Sequence, residues 1–168
     1  EQLPGFPAER LILEPEPKNT AAAIALAAWR LHQLDPEASM MTFNSDHFIK
    51  DEAEFARAVK LAEETLAKHP QKTLLLGVKA SYPETGYGYI KLGPPLAKNL
   101  YRVDKFVEKP SADLAKRYVD SGEYLWNPAY FIWRVDYLLK LIAEHLPEHS
   151  ALLNKLTAAP SVLEDEFK

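Results

Sequence analysis

The sequence predicts an α/β domain whose parallel core is interrupted by antiparallel strands. Three observations carry that expectation. Apolar runs of strand length alternate with longer amphipathic segments between residues 10 and 78. The rhythm then breaks into two successive strand-like runs near a proline pair, and no repeat, low-complexity stretch or linker divides the 168 residues. The expectation is therefore a single domain over 1–168.

The elements follow in order. "RLILEP" (10 to 15) reads as a short strand stopped by proline, and "NTAAAIALAAWRLHQL" (19 to 34) as a helix with Asn19 or Thr20 placed to cap it. "SMMTFN" (39 to 44) is a second strand, and "KDEAEFARAVKLAEETLAKH" spaces Phe55, Val59, Ala62 and Leu66 along one helical face. "KTLLLGV" (72 to 78) is a buried strand. "GYGYIKLG" and "LYRVDKFVEKP" predict two strands joined by a proline-containing connection, more an antiparallel insert than another strand-helix-strand unit. "SADLAKRYVDSG" is a helix with Ser111 as cap, Asp113 in its first turn and Gly122 as its stop. "YLWNPAYFIWRV" is strand-like on both sides of Pro128, and "DYLLKLIAEHL" (136 to 146) is a final helix. The acidic tail "PSVLEDEFK" (160 to 168) completes no pattern.

Composition narrows the function. A formal charge of -4 with dispersed lysines argues against a nucleic-acid or membrane-surface role, which needs a concentrated basic face. The absence of cysteine removes disulfides, thiolate catalysis and cysteine-bound zinc. The longest apolar stretch, "AAAIALAAW" at 21 to 29, is far shorter than the roughly 20 residues of a membrane span. With no basic, apolar leader opening the sequence, a soluble cytoplasmic protein acting on a small molecule or another protein is expected.

Several residues can carry chemistry. "TFNSDHF" (42 to 48) puts Asp46 just beyond the carboxyl end of a predicted strand, where open α/β sheets bind ligands, and a carboxylate there can hold Mg²⁺ or simply cap the next helix. His145 and His149 have zinc-ligand spacing, but Pro147 between them disturbs a common helix and no third ligand is evident. "FVEKP" (106 to 110) ends a strand with Glu108 and Lys109, which can reach one cleft if the chain turns there. A carboxylate accepting sugar hydroxyls beside an ammonium facing phosphate makes a sugar-phosphate site; the same pair also makes an exposed ion pair. Asn127 lies in an aromatic, apolar surround and must find partners in loop backbone or ligand. In a chain with six glycines, placing Gly86 and Gly88 around Tyr87 serves either a tight turn or a backbone lying against a ligand. There is no Gly-x-Ser-x-Gly elbow, Walker loop or dinucleotide fingerprint.

"LEPEPKNTAAAIALAA", "SDHFI", "PETGYGYI", "FVEKP" and "YLWNPAYFIWR" stand in one order and spacing. In this the sequence resembles bacterial mannose-1-phosphate guanylyltransferases, members of the sugar-nucleotide pyrophosphorylases, from about residue 11 to 145. The resemblance implies a Rossmann-like nucleotide-diphospho-sugar transferase fold: a mixed, mostly parallel sheet flanked by helices, with an antiparallel sugar-binding insert. It also implies formation of GDP-mannose and pyrophosphate from GTP and mannose 1-phosphate with Mg²⁺; the family's N-terminal strand, missing here, would leave an unpaired sheet edge, so a homo-oligomer covering that edge is a further expectation. Asp46 would be the metal ligand and, with Lys109, catalytic. Glu84, Thr85, Gly86, Tyr87, Gly88, Glu108, Lys109 and Asn127 would line the sugar phosphate, and Glu14, Asn19 and Thr20 the nucleotide.

The departures from that family are specific. The family's Leu-Pro-Ala-Asp-His is Phe43-Asn44-Ser45-Asp46-His47 here, its Ser-Gly after the asparagine is Pro128-Ala129, and its arginine is Lys18. The family's N-terminal Gly-rich triphosphate cradle and its later metal-sharing aspartate have no counterpart in these 168 residues. The expectation is a fold incomplete at both ends and inactive on its own; the alternatives are a non-catalytic sugar-phosphate or protein binder, or a relative using glucose 1-phosphate with another nucleotide.

Overall fold

The structure is a computed structural model describing residues 5, 7, 10–14 and 19–158. Its elements are α1 (Thr20–Leu34), β1 (Ser39–Met41), α2 (Glu52–Lys68), β2 (Leu74–Lys79), β3 (Gly88–Ala97), β4 (Leu100–Glu108), α3 (Ala112–Ser121), β5 (Tyr124–Arg134), α4 (Val135–His145) and α5 (Pro147–Ala158). They form two compact units, one of residues 1–40, 68–72 and 133–168, the other of 41–67 and 73–132.

In the first unit α1, α4 and α5 pack on one another. Alanine-rich α1 brings its backbone close, burying Ala22, Ala25, Leu26, Ala28 and Trp29, while α4 buries Val135, Leu138 and Ile142 and α5 buries Leu153 and Leu156. Asn19 does stand at the cap position, but its main-chain carbonyl, not its side chain, meets the first helical N–H groups, from Ala22 at 3.2 Å and Ala23 at 3.4 Å. Arg134 forks onto Asp136, Nε donating to Oδ1 at 3.0 Å and Nη2 to Oδ2, and reaches Glu37 at 3.2 Å. Helix α5 was not foreseen. Pro147 opens it, at a position where a missing N–H breaks no hydrogen bond, so His145 and His149 fall on separate helices and the zinc-pair spacing is void.

The second unit holds most of the sheet, whose strand order is β1-β5-β3-β4 with β2 also paired to β5. Helix α2 covers part of it through Ala62 and Leu66, packed with Ile132, Leu74 and Leu76. Helix α3 covers another part, Ala115 packing with Tyr89, Tyr124, Val107 and Trp126. Gly122 ends α3 in the left-handed conformation (φ 67°), the predicted stop.

Three expectations are corrected. Residues 11–14 form no strand, and Leu11, Ile12 and Leu13 are exposed. The prolines do not connect β3 to β4: β3 runs through Pro94 and Pro95 with register shifts, and the turn is Lys98-Asn99, where Asn99 takes the positive φ of 60° that asparagine tolerates. The β2–β5, β3–β4 and β3–β5 ladders are all antiparallel, so parallel pairing does not predominate among these ladders. β5 is the reason, since it runs against both β2 and β3. The α/β layering and the antiparallel insert stand as expected.

Candidate functional site

The register places Gly88 opposite Glu108 on one side and opposite Asn127 on the other, so the three form a single row across β4, β3 and β5. Gly88 is buried. A Cβ there would lie 2.7 Å from Glu108 Oε2 and 3.8 Å from Asn127 Nδ2, so both side chains lean over the glycine backbone. Here close approach, not positive φ, calls for glycine. The segment before it is fixed locally: Glu84 Oε1 accepts the Gly86 N–H at 2.8 Å, and the Tyr89 hydroxyl donates to the Glu84 carbonyl at 2.8 Å. Thr85, Gly86 and Tyr87 form the exposed bend that leads into β3.

β4 ends at Glu108, and Lys109 turns with a φ of 46° while its N–H donates to the Tyr87 carbonyl at 3.2 Å. Its ammonium stands 3.8 Å from Glu108 Oε1, with both side chains about 70% exposed, so the pair is open to a ligand and adds little to stability. The expected turn thus brings Glu108 and Lys109 together.

Asn127 opens a bulge in β5. The β2 ladder jumps from Leu76↔Tyr130 to Val78↔Trp126, leaving Asn127, Pro128 and Ala129 out of register, which suits a proline without an N–H. Asn127 Oδ1 accepts the Ala129 N–H at 3.1 Å. That fixes its remaining group: Nδ2, on the Gly88 side, is a donor, and beside it the Glu108 carboxylate is an acceptor. A donor and an acceptor side by side suit neighbouring hydroxyls of a sugar.

The Asp46 loop meets this bulge. The Thr42 hydroxyl donates to the Ala129 carbonyl at 2.9 Å, Asn44 Nδ2 donates to the Pro128 carbonyl at 3.0 Å, and His47 Nδ1 lies 2.7 Å from the Tyr130 hydroxyl. Burial, and secondarily the negative charge of Asp46, push the Tyr130 phenol above its ordinary value, so it stays protonated at neutral pH. Asp46 is exposed. Among the described residues no group of three or more histidines, cysteines or carboxylates could hold a metal by itself. A lone carboxylate still suits Mg²⁺, which keeps waters and binds through one or two carboxylates plus substrate phosphates.

Two aromatic contacts escaped the sequence reading. Tyr82 and Tyr87 stand edge-on to Trp126, with centroids at 4.8 and 5.5 Å, beside the bend that leads into β3; two tyrosines spaced around "PETG" were the available signal. Glu14, Asn19 and Thr20 belong to the first unit, Asn19 and Thr20 being exposed, while Lys18 lies outside the described residues. No helix among the described residues is long and apolar enough to cross a membrane.

The fold, a five-stranded sheet flanked by helices, is of the nucleotidyl transferase type. The nucleotidyl transferase family model matches residues 5–166, and the chain belongs to that family. It is 41% identical to mannose-1-phosphate guanylyltransferase RfbM of Salmonella typhimurium, covering 84% of this chain and 29% of that protein. It is 38% identical to the alginate biosynthesis protein AlgA of Pseudomonas syringae pv. tomato, covering 83% and 29%. A crystal structure from Thermus thermophilus, described as a mannose-1-phosphate geranyltransferase, superposes with a TM-score of 0.81 at 32% identity, covering 94% of this chain and 45% of that one. A Helicobacter pylori structure described as a mannose-6-phosphate isomerase superposes with a TM-score of 0.68 at 33% identity, covering 84% and 50%. The chain spans about 30% of the length of the curated relatives it matches.

Proposed function

We propose that this chain supplies the sugar-phosphate side of a mannose-1-phosphate guanylyltransferase acting in the cytoplasm. The observation that carries the reading is the row Glu108, Gly88, Asn127, with Lys109 at its end. Glu108 accepts hydrogen bonds from sugar hydroxyls, Asn127 Nδ2 donates to a neighbouring oxygen, and the Gly88 backbone lets the ring lie close. Lys109 meets the sugar phosphate. A phosphate oxygen of mannose 1-phosphate then attacks the α-phosphorus of GTP, a bond forms between them, and the α–β bridge breaks to release pyrophosphate. The residues contribute position and charge rather than covalent chemistry. Asp46 would hold Mg²⁺, which neutralises charge on the polyphosphate when bound. Glu14, Asn19 and Thr20 are assigned to the nucleotide.

Two measurements test this. Calorimetric titration of the chain with mannose 1-phosphate, against glucose 1-phosphate, should give saturable binding that favours the mannose compound and weakens with Asn127→Ala. Pyrophosphate release from GTP and mannose 1-phosphate by the whole protein should fall at least about a hundredfold with Asp46→Asn while thermal stability changes little. The 168 residues by themselves should bind without useful turnover. Absence of binding, or full activity of Asp46→Asn, would overturn the assignment.

A further inference from the structure

The bulge after Asn127 is strained and fully clamped. Ala129 has a φ of 61°, a conformation disfavoured for any residue with a Cβ and one that persists only where the surroundings over-determine it. Around it, three successive main-chain groups are each taken by a different side chain. The Pro128 carbonyl accepts from Asn44 at 3.0 Å, the Ala129 N–H donates to Asn127 Oδ1 at 3.1 Å, and the Ala129 carbonyl accepts from Thr42 at 2.9 Å. Thr42 Oγ1 in turn accepts the Phe131 N–H at 3.1 Å.

The hydrogen-bond polarity at the bulge is determined by its main-chain groups. A carbonyl only accepts, so the Asn44 amide must present Nδ2 to Pro128. The same Nδ2 lies 3.4 Å from His47 Nε2, and the other ring nitrogen, Nδ1, lies 2.7 Å from the Tyr130 oxygen. Asp46 therefore sits in a loop whose neighbours on both sides, Asn44 and His47, are tied to the strand that carries Asn127.

We propose that Asn44 and Thr42 are positioning residues: they hold the Pro128-Ala129 turn so that Asn127 spends its oxygen on backbone and offers its amine to the ligand. The inference deepens the sugar-phosphate reading and rests on it for the ligand. It also relates two departures from the family pattern noted above, since Asn44 stands where that pattern has proline and bonds to Pro128, which stands where it has serine. A proline at 44 has no side-chain donor for that carbonyl.

The test has a structural arm and a binding arm, using the same variants. In amide hydrogen exchange the Ala129 N–H should be protected, and Asn44→Ala should lower its protection at least about tenfold while α3 amides are unchanged; Asn44→Gln should restore part of it. In a double-mutant cycle, Asn44→Ala should weaken mannose 1-phosphate binding at least about fivefold in the otherwise unchanged chain and have no effect once Asn127 is alanine. Unchanged Ala129 protection in Asn44→Ala overturns the proposal whether or not sugar phosphate binds. Additive losses in the cycle also overturn it, because they mean general loosening rather than control of Asn127. If wild type binds no sugar phosphate, the functional reading fails, and the exchange result alone decides the role of Asn44.

Discussion

Gly88 and Glu108 face each other across the β3–β4 ladder so closely that a methyl group at position 88 would lie 2.7 Å from the Glu108 carboxylate. The obstructing atom is the free end of an exposed side chain, so Gly88→Ala displaces the carboxylate rather than the strands. Alanine is also the better strand residue by about 0.5–1 kcal/mol. Stability should be unchanged or slightly raised, whereas mannose 1-phosphate affinity should drop at least about tenfold. Chemical denaturation and titration of the same preparation check this; retained affinity would show that the Glu108 side chain is not used.

Ala129 offers a prediction in which the added freedom is the gain. Its positive φ of 61° penalises the Cβ, so Ala129→Gly should stabilise the chain by about 0.5–1 kcal/mol, seen as a higher urea midpoint with an unchanged slope. The gain is smaller than the full left-handed penalty because glycine also gives the unfolded chain more freedom. A lower midpoint would mean that the alanine methyl makes a packing contact worth more than the strain.

The Arg134–Asp136 fork gives the first unit a pH signature. Hydrogen bonding from Arg134, opposed by burial, holds the Asp136 carboxyl below its ordinary value of 3.8. A depressed folded value means that the unfolded chain binds the proton first on acidification. The fork therefore stabilises fully at pH above 3.8 and loses its contribution as pH falls from there through the folded value. With Asp136 41% exposed, the contribution at neutral pH is about 1 kcal/mol or less. Asp136→Asn should be less stable than wild type by that amount at pH 7, and thermal melts of the two should converge as pH falls below the lowered folded value.

Features encoded by neighbouring residues were legible in the sequence. Gly122 stops α3 as its position demanded, and Ala62 and Leu66 are buried where the helical spacing put them. The "GYGYIKLG" and "FVEKP" runs pair as the expected antiparallel strands, and their register sets Glu108 opposite Gly88. What stayed hidden depends on partners far away in sequence. The Thr42 and Asn44 bonds to the bulge span 87 and 84 residues, and no local pattern encodes them. The stretch read as strand-like on both sides of Pro128, and β5 does run through it, but the bulge there shows only in the register shift against β2. Leu11, Ile12 and Leu13 have strand composition, but composition supplies no neighbour to pair with.

Lys109 separates function from stability most directly. It turns the chain at the end of β4 with a φ of 46°, where a lysine is strained and a glycine is not, and its ammonium makes only an exposed contact with Glu108 at 3.8 Å. Lys109→Gly should therefore stabilise the chain by about 1 kcal/mol, since backbone strain is relieved and little ion-pair energy is lost. The same change removes the charge assigned to the sugar phosphate. Affinity for mannose 1-phosphate should fall at least about tenfold, while binding of free mannose, which has no phosphate for Lys109 to meet, should not. Lys109→Met controls for the backbone: it keeps a side chain at the strained position, so it should lose the same affinity without the gain in stability. Denaturation midpoints and paired titrations of both variants must together follow this pattern. A glycine variant that is more stable and binds the sugar phosphate normally would leave Lys109 as a turn residue only, and the phosphate would have to be held elsewhere.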